Sequence, residues 1–155
     1  MNAARQLIVD LANLPSTREA VQAFQEKHEL EMPDERVLAF QDVAQSVWSG
    51  GSERSIERLR EVLLPPESIG AIGIDWKARS LSYQPITNIQ AGFYYLLQNS
   101  NLAKRCGNEC VQRFFFAKRP NERYCSARCF AAAQKAAKKD WWQEHAEEFR
   151  ERRSK

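Results

Sequence analysis

Long apolar runs are missing from this chain. The longest aliphatic and aromatic stretch, Phe93-Tyr94-Tyr95-Leu96-Leu97, falls far short of the roughly 20 residues needed to cross a bilayer. Near the amino terminus Leu7-Ile8-Val9 is interrupted at once by Asp10, so a secretory leader is not expected. A soluble, cytoplasmic protein with no membrane partner is the expectation. Histidine is scarce, with only His28 and His145, and no HExxH pattern exists to build a catalytic zinc site. Glycine is sparse too. Gly70 and Gly73 lack the GxGxxG order and the Lys-Ser/Thr ending of a phosphate loop. No internal repeat is visible, and the low-complexity signal is limited to mild alanine and lysine enrichment after Cys129.

Cysteine is absent everywhere except one short stretch. Cys106-Gly-Asn-Glu-Cys110 is followed by a 14-residue spacer and then Cys125-Ser-Ala-Arg-Cys129. Two close pairs around a hairpin-length spacer suit a tetrahedral structural zinc site with four thiolate ligands. In a reducing compartment such pairs are more often metal ligands than disulfides. Four sulfurs fill the coordination sphere and leave no position for a reactive water, so an enzyme is not expected.

Charge divides the chain at the same place. Residues 1–100 hold 9 Lys+Arg against 13 Asp+Glu, a balance of −4, and residues 101–155 hold 14 against 7, a balance of +7. An acidic body of residues 1–100 and a basic, cysteine-bearing module of residues 101–155 are the expected domains. About 50 residues is near the lower limit for a self-sufficient apolar core, which is where a bound metal serves as a staple.

The body reads as helical. Leu7, Ile8, Leu11 and Leu14 keep helical spacing up to Pro15. Ser16-Thr17-Arg18-Glu19 has the form of a capping box for a helix to His28, and His28 reads as a packed or surface residue. Pro33-Asp34 opens a third helix ending at Ser49-Gly50-Gly51, and a fourth runs from Ser52 to Leu64. Residues 69–76 and 81–83 suggest a hairpin in which Trp76 and Tyr83 meet across the strands. Thr87 or Asn88 caps a last body helix, with Phe93, Tyr94, Leu96 and Leu97 as its core.

In the module, Gly107 and Asn108 suit a backbone of positive φ that turns around the metal and aims amide N–H groups at the sulfurs. Phe114-Phe115-Phe116 reads as a strand and Arg119-Pro120-Asn121-Glu122 as a turn. Ser126 is a good N-cap for the alanine-rich helix after it, which places Cys129 in the first turn. Knuckle, hairpin, then helix is the order of a treble-clef finger. The expected fold is therefore mainly α (α+β): a helical body with a β-hairpin, then a treble-clef-like four-cysteine finger ending in a long helix.

On that helix, with Arg128 as zero, Lys135, Lys138, Lys139 and Trp142 fall at about 340°, 280°, 20° and 320°. Phe130, Ala133, Ala137 and Trp141 fall at about 200°, 140°, 180° and 220°, on the opposite face. The apolar face is expected to pack on the hairpin or body, with both tryptophans clamping the helix down; the alternative is that Trp142, on the basic face, stacks or wedges against a base. The other face, with Arg113, Arg119 and Arg123 from the loops, offers cations to phosphates. The same surface could serve to solubilise the chain or to bind an acidic protein partner, including its own acidic body.

Arg105-Cys106, Cys110, Phe114 to Phe116, Arg119, Arg123-Tyr124-Cys125-Ser126, Cys129 and the basic helix after it resemble the CGNR-type zinc fingers at the carboxyl end of bacterial ABATE-domain proteins. The helical body is similar as well. Members are regarded as transcriptional regulators linked to stress responses. The resemblance implies zinc held by Cys106, Cys110, Cys125 and Cys129, DNA binding by the finger, and sensing or dimerisation by the body. A dimer also fits the few base pairs a single small finger reads. The chain departs from the family at its namesake motif: Cys129 is followed by Phe130-Ala131, and a Cys-Gly-Asn stands at Cys106 instead.

Overall fold

The computed structural model describes residues 2–50, 53–64, 72–75 and 80–153, with backbone alone at 54–56, 74–75, 80–81 and 147–153. Among the described residues, six α-helices and two small hairpins follow in this order: α1 (Ala3–Ala12), α2 (Arg18–His28), α3 (Asp34–Trp48), α4 (Glu53–Leu63), β1 (Ile72–Asp75), β2 (Ser80–Tyr83), α5 (Asn88–Gln98), β3 (Ala103–Arg105), β4 (Phe114–Phe116) and α6 (Ala127–Arg153). A 3-10 turn, Ser100–Leu102, joins α5 to β3. The mainly α class expected from the periodicity is the class observed. No described helix is long and apolar enough to cross a membrane.

Polar caps set the helix starts. The Asn2 side chain accepts from the Ala4 amide at 3.0 Å to open α1. For α2 the cap is Thr17, whose hydroxyl accepts from Ala20 N. Ser16 and Glu19 do not form the expected box, because Thr17 is still extended (φ −108, ψ 148) and the helix begins one residue later than that box requires. At α5 a complete box forms instead. Thr87 accepts from the Gln90 amide, and the Gln90 side chain accepts from Thr87 N at 3.2 Å and Ile86 N at 2.9 Å.

The core of the body lies where α1 packs between α5 and α3. Leu7, Ile8 and Leu11 of α1, Phe93 and Leu96 of α5, and Val37 and Ala44 of α3 are almost wholly buried. Each large apolar side chain buried this way contributes about 1.5–3 kcal/mol. Gly92 permits the close approach: a Cβ there would lie 3.0 Å from Leu7 Cδ2 and 3.4 Å from Ile8 Cβ. That register makes Ile89, Gly92, Phe93 and Leu96 the buried face of α5. Leu97, expected in the core, is exposed, because it lies about 100° around the helix from Leu96.

The body hairpin pairs Ile72 with Tyr83; Trp76, expected to meet Tyr83 across the strands, lies outside the described residues. Tyr83 serves another purpose: its hydroxyl donates to the Leu63 carbonyl at 2.8 Å and its ring packs on Tyr94 at 4.8 Å. His28 is a packed residue, with its ring against Phe24 and Nε2 at 2.9 Å from Asp10 Oδ2.

The second hairpin joins the cysteine module to this core. β3 and β4 pair antiparallel, Ala103 with Phe116 and Arg105 with Phe114. Side chains alternate across a strand, so Phe114 and Phe116 enter the core of the body while Phe115 enters a separate cluster with Cys106 and Ala117. Trp48 packs on both Phe114 and Phe116 and donates its indole N–H to the Phe115 carbonyl at 3.3 Å. Three consecutive phenylalanines thus serve two cores.

Candidate metal centre

The first cysteine pair sits at the tip of this hairpin. Cys106 N donates to Arg113 O at 2.7 Å, which closes a loop that carries Cys106 and Cys110. A knuckle followed by a hairpin was the expectation. The strand Phe114–Phe116 instead pairs backward with Ala103–Arg105, so the knuckle is the hairpin's own turn, and residues 117–126 run as a link to α6. The expected turn within that link does form, with Glu122 N donating to Arg119 O at 3.1 Å.

Neither Gly107 nor Asn108 has positive φ. Their roles come from contacts. Gly107 N donates to Arg123 O at 2.9 Å, and a Cβ at Gly107 would meet Tyr124 Cε1 at 3.0 Å and Arg123 O at 3.4 Å. A side chain here would hold the knuckle off the link that carries Cys125. The Asn108 side chain donates to Cys129 O at 2.5 Å, tying the first loop to the helix of the last cysteine. Ser126 caps α6 as expected: its hydroxyl accepts from Cys129 N at 3.3 Å. Cys125 therefore precedes the helix and Cys129 lies in its first turn.

These connections bring all four sulfurs within 4.8 Å of one another. Cys110 Sγ lies 3.6 Å from Cys125 Sγ, and Cys125 Sγ lies 3.5 Å from Cys129 Sγ. A disulfide has its sulfurs about 2 Å apart, and all four cysteines are free. Four sulfurs bonded at about 2.3 Å to one tetrahedral ion lie about 3.8 Å apart, so the group can hold a metal ion. Cys106 is buried and the other three are half-buried.

The thiols do not share one ionisation behaviour. Burial pushes the Cys106 thiol up, but the backbone N–H groups of Cys125 and Asn108 and the thiols of Cys110 and Cys125 outweigh it, bringing its pKa to about 7. Burial and neighbouring sulfurs push Cys110 well above the ordinary thiol range, and burial pushes Cys125 up as well. One thiolate is favoured and further negative charge beside it is opposed. A bound cation removes that opposition.

The seven basic residues expected to contact nucleic acid fall on three segments. Arg113 leads into β4, Arg119 and Arg123 lie on the link, and Arg128, Lys135, Lys138 and Lys139 lie on α6. All seven are exposed, and none forms a side-chain ion pair among the described residues. The apolar face of α6 does not pack as expected. Phe130, Trp141 and Trp142 are 49%, 44% and 46% exposed, and every residue from 134 to 144 is exposed. The tryptophans do not clamp the helix down: Trp141 stacks on His145 at 4.6 Å and meets the Trp142 ring edge-on at 5.2 Å. The reason is length. α6 has 27 residues, about 40 Å, and starts beside a hairpin with three-residue strands.

The residues that seat this module on the body had no local signal in the sequence. Asn13, Trp48 and Arg5 all hydrogen-bond the backbone of β4. No family model, no curated protein and no solved structure matches the chain.

Proposed function

We propose that Cys106, Cys110, Cys125 and Cys129 hold zinc as a structural staple, and that the chain binds DNA through the basic surface that this staple organises. An all-thiolate tetrahedral set suits zinc, whose filled d shell imposes no geometry of its own. The resemblance to CGNR-type fingers points the same way and adds a role as a transcriptional regulator linked to stress responses.

The observation that carries the proposal is the set of seven exposed cations, from Arg113 to Lys139, without ion-pair partners among the described residues. Residues 101–139 hold 10 Lys+Arg against 2 Asp+Glu, and four thiolates on a dication subtract only about two charges. Such a surface releases counterions when it meets phosphates, so affinity falls steeply with salt. Titration of a labelled duplex at several salt concentrations is the test. A steep log–log slope is expected, and no binding to any duplex at low salt would overturn the proposal.

A groove on the body supports the sensing role that the resemblance implies. A groove of about 840 Å³, lined by Leu30, Met32, Arg36, Phe40, Arg58 and Ile89 among others, lies on the body and includes no residue of the cysteine module. The exposed Phe130, Trp141 and Trp142 favour a second reading, in which the module docks on an acidic protein. Co-purification with one acidic protein and no nucleic acid would favour it.

A further inference from the structure

Beside the metal centre, the link and the start of α6 enclose a groove of about 680 Å³. Its walls include Lys118, Arg119, Glu122, Arg123, Tyr124 and Phe130. The link is well anchored: Lys118 N donates to the Glu122 carboxylate at 2.6 Å, Glu122 N to Arg119 O at 3.1 Å, and Gly107 N to Arg123 O at 2.9 Å. The one carboxylate of the groove is thereby engaged by a backbone amide. Three cations remain exposed.

Between them stand two aromatic rings. Tyr124 and Phe130 lie 5.8 Å apart at 56°, and Phe130 is half open to solvent. A phosphate needs cations alone. An apolar ring that stays exposed among cations fits a ligand with both a flat π-face and a negative charge next to it. A nucleotide has both.

In a duplex the faces of the bases are covered by their neighbours, and a protein meets phosphates and base edges. In an unpaired strand the faces are free, and stacking on aromatic side chains combined with a basic track is how such strands are held. Along α6 the next exposed ring on this side is Trp141, with Lys138 about 60° from it around the helix; Lys135 and Lys139 lie farther round, on the opposite face. Phe130 and Trp141 lie within about 20° on the helix and about 16 Å apart along its axis. We infer that the groove and the exposed flank of α6 form a track for single-stranded nucleic acid, with Phe130 as the first base-stacking platform. This rests on the nucleic-acid reading above and narrows its partner to an unpaired strand.

The test uses the full, zinc-loaded chain, with fluorescence anisotropy on labelled oligothymidylate, oligouridylate, an abasic strand and a duplex, all of equal length and at one salt concentration. Oligothymidylate is expected to bind about tenfold more tightly than the duplex or the abasic strand, the worth of one stacked base. The oligouridylate arm tells DNA from RNA. Phe130→Ala should lower oligothymidylate affinity about tenfold while leaving the duplex unchanged; Phe130→Trp should retain it, and Phe130→Leu, which keeps the apolar volume, should not. Binding should also quench the fluorescence of Trp141 and Trp142. If the duplex and abasic strand bind as well as oligothymidylate, the track is refuted while nucleic-acid binding stands. If none of the four probes binds, both fall, and the exposed rings belong to a protein interface.

Discussion

The side-chain amide of Asn13 holds both backbone groups of Phe114: Phe114 N donates to Asn13 Oδ1 at 2.9 Å, and Asn13 Nδ2 donates to Phe114 O at 2.8 Å. Asn13 thus stands in for a third strand along the edge of β4 that β3 does not cover. The same amide also donates to Val9 O at 2.8 Å, so one residue closes α1 and seats the metal hairpin on the body.

Asn13→Ala should cost about 2–3 kcal/mol, since two partly buried backbone groups lose their partners. Asn13→Asp should do no better, because a carboxylate oxygen would then face the Phe114 carbonyl. Urea unfolding should give a lower midpoint at unchanged slope. Wild-type stability for both variants would mean that water replaces the amide.

The alternation along β4 separates two effects. Phe116→Ala should destabilise the body by about 3–5 kcal/mol, the usual range for a core phenylalanine. Phe115→Ala should act mainly on the metal cluster, seen as weaker retention of zinc against a chelator. Equal effects of both substitutions in both measurements would contradict the assignment of these rings to different cores.

Removing the metal should release only part of the molecule. Phe114 and Phe116 are held by the body, whereas the Cys106–Cys110 loop is held to α6 through Asn108 and the sulfurs. Chelation, or Cys125→Ser, should therefore strip hydrogen-exchange protection from the loop and the first turns of α6 while α1 and α5 keep theirs. Isolated helices are marginal in water, so helicity should fall as α6 frays. Loss of protection in α1 at the same chelator concentration would show that the whole chain depends on the metal.

Asp10 gives a pH signature. Burial raises its carboxyl pKa, but hydrogen bonds from Lys27, Gln6 and His28 outweigh this and hold it below the usual range. A depressed pKa means stabilisation that is present above the unfolded value, about 3.9, and is lost as pH falls through the folded one. Lys27 is 58% exposed, so the ion pair itself contributes little. Asp10→Asn should cost about 1 kcal/mol at neutral pH, and the gap to the parent should close as pH drops below about 4. Both proteins are best compared in a Cys125→Ser background, where metal loss cannot intervene. A gap that persists at the lowest pH would mean that Asp10 acts through shape and not through charge.

The elements whose causes are local were legible. Spacing of Leu7, Ile8 and Leu11 marked α1, Thr87 marked α5, and Ser126 with the alanines after it marked α6. The four-cysteine cluster was legible too, because metal coordination demands one residue type at close spacing and little else in a chain imitates it. Errors arose where tertiary contact decides. Leu97 looked like core beside Phe93, Tyr94 and Leu96, but the approach of α1 at Gly92 left it facing solvent while the other three pack in or against the core. Phe130 and Trp141 looked like a packing face by periodicity, yet both are exposed, Phe130 beside Tyr124 and Trp141 stacked on His145.

By itself, the sequence determined the chemistry of the four-cysteine cluster and the charge of the module that carries it, since four cysteines and an excess of cations are present whatever the chain does. Only the tertiary structure decided that β4 pairs backward onto Ala103–Arg105, that its three phenylalanines divide between two cores, and that Asn13, 101 residues away, covers its open edge. The physical reason is that a strand's edge and faces are satisfied by whatever the fold brings alongside, and nothing within the strand names those partners.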